Sequence, residues 1–297
     1  GIQFRVCHMN PISLGSKTPP PVSIQNNLYS LLEPAQDRDS GVNAVGNLEP
    51  VALSSELYPF LNTYGAGELR HISRYTVYEQ YQEMSRSRAN LVIGPPGRQA
   101  AGQMEERLGI PWVFIPVSYD MEEIEGGYAR LKQLLAPDAE DCFDFAPARE
   151  RALKAVERAR RRVGDIPVII DASATVQPFG MAKALLTYGF QVTRVEAQDC
   201  MPFDREHMEW LVRNHPKGEI CQPEHHRAVL FSRRLEYSLG IGVEGAYLAG
   251  SRHVADLFND AGMFGYDGIV RLMGLMEGAM EAEVDLEQMI NGYGLVV

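Results

Sequence analysis

The residues able to do chemistry in this 297-residue chain lie at strand ends and on short loops. Gly94-Pro95-Pro96-Gly97-Arg98 follows an apolar run and opens a helical pattern, so its backbone N–H groups could contact an anion or cofactor. Pro95 and Pro96 remove two of those donors, which favours a shape-determining turn over a phosphate loop. Ser173 and Thr175 follow another strand and could touch a ligand in the cleft between domains, with helix capping as the alternative. Cys7-His8 has soft-metal chemistry, but two ligands do not make a site. His225 and His226 are adjacent on an expected helix and face different ways, which argues against joint ligation. Met263, Met273, Met276 and Met280 read as core or subunit contact. No GxGxxG or GxxxxGK[ST] motif supports nucleotide binding.

Composition narrows the classes. With 45% hydrophobic and 23% charged residues the chain is globular, and a net charge of -11 argues against nucleic-acid binding. Cys7, Cys142, Cys200 and Cys221 form no CxxC pair, so neither a disulfide framework nor a zinc ribbon is expected. Reduced structural thiols are the simpler expectation, with metal ligation by Cys7, Cys200 or Cys221 left open. No 18-residue apolar window or leader sequence is present, so a cytoplasmic protein without a membrane span is expected. Gly1 in place of an initiator Met fits an excised piece of a longer protein.

The elements that must position these groups alternate as strands and helices. Residues 88 to 116 read as one βαβ crossover: strand Ala89–Ile93, the glycine-proline loop, helix Arg98–Leu108 ended by Gly109, and strand Trp112–Ile115. Strands are also expected at Phe4–His8, Val42–Gly46, Leu69–Ile72, Pro167–Ile170, Gln191–Val195 and Gly245–Ala249. Helices are expected at Thr76–Ser85, Met121–Leu135, Ala148–Val163, Asp204–Asn214, Pro223–Leu239, Ser251–Phe258 and Ile269–Met280. The result is an α/β fold of two doubly wound, Rossmann-like domains with mostly parallel sheets. Their expected bounds are 1–137 and 165–297, with a long charged linker helix in 138–164.

Three runs, in order, resemble the nitrogenase component 1-type oxidoreductase family. That family includes nitrogenase molybdenum-iron protein subunits, cofactor-assembly scaffolds and dark-operative protochlorophyllide reductase subunits. The runs are Val42-Asn43-Ala44-Val45-Gly46, then Asn90-Leu91-Val92 with Met104 to Trp112, and Gly265-Tyr266-Asp267-Gly268. The likeness spans the family's middle and C-terminal domains. It implies an iron-sulfur or metal cluster in the full-length complex, held by cysteines of a preceding domain outside this sequence. It also implies a homologous subunit in a homo- or heterodimer or tetramer, and an ATP-dependent iron-sulfur reductase as electron donor. In the nitrogenase catalytic subunit a His-Cys pair ends the strand before the ligand loop. Here those positions are Ile93 and Gly94, and glycine has no ligand to offer. The loop that supplies an arginine there is Ala172-Ser173-Ala174-Thr175-Val176 here, and His253 lies near the family's cofactor histidine without a clean match.

The resemblance thus implies the C-terminal portion of a redox or cofactor-assembly subunit. A scaffold or tetrapyrrole-type reductase fits better than a dinitrogen reductase, and the segment alone is expected to be inactive and to hold no cofactor. The alternative is a non-catalytic metal- or tetrapyrrole-binding module of periplasmic-binding-protein-like architecture. A nucleotide-dependent enzyme such as a glycosyltransferase shares the fold class but lacks its phosphate motifs.

Overall fold

The computed structural model describes residues 4–7, 18–226 and 235–293. The chain divides into one unit of Gly1–Pro116 with Glu125–Phe143, and a second of Val117–Ile124 with Asp144–Val297. Four parallel strands build the first: β1 (Val42–Val45), β2 (Leu69–Arg70), β3 (Ala89–Val92) and β4 (Trp112–Phe114), in the order β2-β1-β3-β4. Every residue of β1 and β3 is buried, as the middle of a parallel sheet requires. Two asparagines interrupt those apolar runs as register partners. Asn43 Nδ2 donates to Asn90 Oδ1 at 2.8 Å and to the Met84 carbonyl at 2.9 Å, while Ser87 Oγ donates to Asn43 Oδ1 at 2.8 Å. Buried polar groups persist when partnered, so this network favours one alignment of β1 on β3.

The crossover from β3 to β4 runs through helix Gly97–Leu108. It buries Gly97, Ala100, Ala101 and Met104, the i, i+3, i+4, i+7 face, and ends at Gly109 with a left-handed φ of 69°.

The second unit carries five parallel strands: β5 (Pro167–Ile170), β6 (Gln191–Glu196), β7 (Glu219–Cys221), β8 (Leu239–Ile241) and β9 (His253–Ala255), ordered β7-β6-β5-β8-β9. The basic helix expected as a linker, Ala146–Val163, packs within this unit along helix Gly265–Ala279. Its inward face is Ala148, Ala152, Ala155, Val156, Ala159 and Val163, small residues that let two helices approach closely. Its exposed face carries the Glu150–Lys154 ion pair at 2.6 Å, an i, i+4 contact that water screens. Both sheets are parallel, in agreement with the expected fold class.

Several local expectations are corrected. Phe4–Cys7 is not a strand, and His8 lies outside the described residues. The strand from Leu69 stops at Arg70, because His71 accepts the Ser73 N–H and starts a 3-10 turn over Ile72–Arg74. The expected helix at Thr76–Ser85 is the short helix Tyr78–Gln82 followed by a 3-10 turn over Glu83–Arg86. Residues 223–226, with His225-His226, form a turn instead of a helix; 227–234 lie outside the described residues, and Leu239 begins β8. Gly245–Ala249 belongs to helix Val243–Ala249, and the expected helix at Ser251–Phe258 is replaced by β9. Short apolar runs lack the length for periodicity to separate strand from helix. Among the described residues no helix is long and apolar enough to cross a membrane.

Candidate functional site

In doubly wound sheets, ligands bind outside the carboxyl ends of the strands where the order of connection reverses. In the first unit that point lies between β1 and β3. Gly46 follows β1, and Gly94–Gly97 follow β3. The two backbones are in contact there. A Cβ on Gly94 would fall 2.1 Å from the Gly46 carbonyl oxygen, and one on Gly97 would fall 2.7 Å from Gly46 Cα. Glycine is required by close approach, and at Gly46 also by a φ of 92°. The loop's own N–H groups turn inward: Gly97 N donates to the Gly94 carbonyl at 3.0 Å and Arg98 N to the Pro95 carbonyl at 3.2 Å. Arg98 is exposed, its guanidinium 4.9 Å from the centroid of the Phe114 ring.

A metal cluster does not fit this loop through the side chains present. Ile93 and Gly94 offer no ligand atom, and the Gly46 carbonyl occupies the space a side chain at 94 would need. Among the described residues no three His, Cys, Asp or Glu are grouped to hold a metal ion. Cys7, Cys142, Cys200 and Cys221 are free thiols. Burial pushes the Cys200 and Cys221 thiols up, away from the thiolate a metal requires.

In the second unit the order reverses between β5 and β8. Asp171 follows β5 and is buried; its Oδ2 accepts the Gly245 N–H at 3.0 Å and its Oδ1 the Ser173 N–H at 2.9 Å. Gly242 follows β8 with φ of 97°, and a Cβ there would lie 2.5 Å from Asp171 Cβ. The Asp171 side chain thus packs against both Gly242 and Gly245 at this switch point.

Ser173 and Thr175 lie on the loop that Asp171 begins, and a second carboxylate pins that loop. Asp260 Oδ2 accepts from Thr175 Oγ1 at 2.9 Å and Val176 N at 3.0 Å, and Oδ1 accepts from Tyr119 Oη at 2.7 Å. Asn259 and Asp260 have left-handed φ values of 50° and 52°, a conformation that Asn and Asp tolerate better than other side chains. It aims their N–H groups at the Ser173 and Ala174 carbonyls, at 2.8 Å and 3.0 Å. Burial pushes the Asp260 carboxyl up to about 6, opposed by hydrogen bonds from Val176, Tyr119 and Thr175. Thr175 is buried and committed to this network, whereas Ser173 is half-buried. His253 opens β9, buried, with Nδ1 2.9 Å from the Ala279 carbonyl; it is on a strand, not a helix face.

The structure therefore gathers Ser173 and Thr175 with Asp171, Asp260 and Tyr119, and within the other unit Gly94, Gly97 and Arg98 with Gly46. Asp171 follows an apolar strand directly, a signal readable in sequence. Asp260 and Tyr119 carry none, since they meet the loop only through tertiary packing.

A solved structure described as nitrogenase Cp1 at pH 6.5 superposes with a TM-score of 0.62 at 12% identity, covering 92% of this chain and 65% of the other. A second, nitrogenase Cp1 at pH 5, gives a TM-score of 0.56 at 12% identity, covering 90% of this chain and 62% of the other. The chain thus spans under two thirds of the length of these structures, and at such identity the likeness is one of fold. No match is found among curated protein sequences. The family described as nitrogenase component 1 type oxidoreductase matches residues 23–280, most of the sequence. The chain belongs to that family.

Proposed function

We propose that this chain is the scaffold part of a component 1-type subunit in a metalloprotein redox or cofactor-assembly system. The observation that carries this is the contact of Gly94 with Gly46, which leaves no side chain and no room for one at the loop after β3. A protein of this kind supplies position, charge and exclusion of water, while a bound group supplies the redox chemistry. In this role Gly94 and Gly97 act by shape, and Arg98 offers a cation at the loop's exposed edge. Ser173 is half-buried where Thr175 is buried, with Thr175 holding the loop in place and His253 bracing the start of β9. An iron-sulfur or other metal cluster would belong to the full-length complex, with ligands other than residues 93–98. A homologous subunit and an ATP-dependent iron-sulfur reductase are the partners this role calls for, in the cytoplasm.

Anaerobic co-purification of the intact protein, followed by reduction with such a reductase and ATP, tests the proposal. A second component 1-type subunit in the complex, and a paramagnetic signal that needs both ATP and the reductase, are expected. An isolated protein that takes up no electrons from the reductase would sink it.

A further inference from the structure

Among the described residues, the carboxyl end of the second sheet gathers acids with little to neutralise them. Glu196 ends β6, is 3% exposed, and its Oε2 has no hydrogen-bond partner among the described residues. That oxygen points at the first turn of helix Val243–Ala249: a Cβ on Gly245 would lie 2.8 Å from it and 3.2 Å from Asp171 Cβ. Asp171, 1% exposed, holds the same turn through the Gly245 N–H.

Among the described residues, the charged groups facing Glu196 are Asp171 from the loop after β5, Arg194 from β6 and Glu244 from the helix. Arg194 is bound to Glu219 of β7 at 2.9 Å, so its charge is shared with another carboxylate. Glu224, beyond β7, adds negative charge near Glu244. An ionised carboxylate in this position would be buried, unsolvated and beside a second buried carboxylate, the arrangement that most disfavours charge.

We propose that Glu196 is a proton-binding site: the neutral acid packs against Asp171 and the Val243–Ala249 turn, and its ionisation loosens that turn. Burial, then the Asp171 charge, pushes the carboxyl up to about 7, so the switch operates near neutral pH. The sign follows from linkage. The folded-state value lies above the unfolded one, so the penalty is absent at low pH and grows as pH rises toward the folded value.

Two measurements test this on the whole chain. Between about pH 5 and about pH 8 the unfolding equilibrium constant of the wild type should rise roughly fifty- to hundredfold more than that of Glu196→Gln. Protection of the Gly245 N–H from hydrogen exchange should fall by up to about tenfold more in the wild type than in Glu196→Gln from pH 6 to pH 8, after correction for intrinsic exchange. Identical pH profiles for wild type and Glu196→Gln, a constant Gly245 protection, or a Gln variant that fails to fold would each overturn the proposal. The last counts because an amide mimics the neutral acid.

Discussion

The backbone of Gly94 lies against that of Gly46, so that a Cβ on either residue would fall 2.1–2.2 Å from the other's carbonyl oxygen. Neither neighbour is the flexible end of a side chain. Gly94→Ala must therefore move backbone on β1 or β3, and a loss of at least about 3 kcal/mol is expected in urea unfolding. Gly102→Ala is the control: it lies mid-helix with nothing within 4 Å of a new Cβ. That change should stabilise by about 0.5–1 kcal/mol. A Gly94→Ala protein as stable as the wild type would remove the close contact from the description.

Asp260 is the hub that holds the Asp171–Gln177 loop. Asp260→Ala leaves the Tyr119 hydroxyl, the Thr175 hydroxyl and the Val176 N–H without their acceptor in a buried place. A loss of about 3–5 kcal/mol is expected. Tyr119→Phe removes one hydrogen bond and should cost about 1 kcal/mol. Equal losses for the two variants would mean that the carboxylate does not organise the loop.

His207 is held between Glu123, whose Oε1 lies 2.6 Å from Nε2, and Asp204, whose Oδ1 lies 2.9 Å from Nδ1. These two carboxylates raise the imidazolium to about 9 against the opposing effect of burial. A raised histidine stabilises fully below its unfolded value and loses that contribution as pH climbs through the folded value. Stability should therefore fall between about pH 6.5 and pH 9, by up to roughly 3 kcal/mol, and His207→Gln should flatten that slope. NMR titration of the ring protons reads the same quantity directly, and a midpoint near 6.5 would contradict it.

The parallel α/β architecture is legible because the central strands are apolar apart from Asn43 and Asn90, and Ala89–Val92 with its loop and helix announces a crossover in one stretch. The glycines at 46, 94 and 97 are visible in the sequence, but their mutual contact is not, because it depends on β1 and β3 being neighbours. Leu239–Ile241 and His253–Ala255 are three-residue strands. They are too short for alternation to register, so the strand expected at Gly245–Ala249 fell on a helix. Asp260 and Glu196 read as ordinary acidic residues. Only folding brings one to the Thr175 loop and leaves the other beside Asp171.

The most direct measurement is the iron and acid-labile sulfide content of the intact protein, purified anaerobically, with Cys7, Cys142, Cys200 and Cys221 all changed to serine. If this chain supplies scaffold and no cluster ligands, the metal content and the spectrum of the cluster stay as in the wild type. A loss of iron on these four substitutions would contradict that role and make one of the free thiols a ligand.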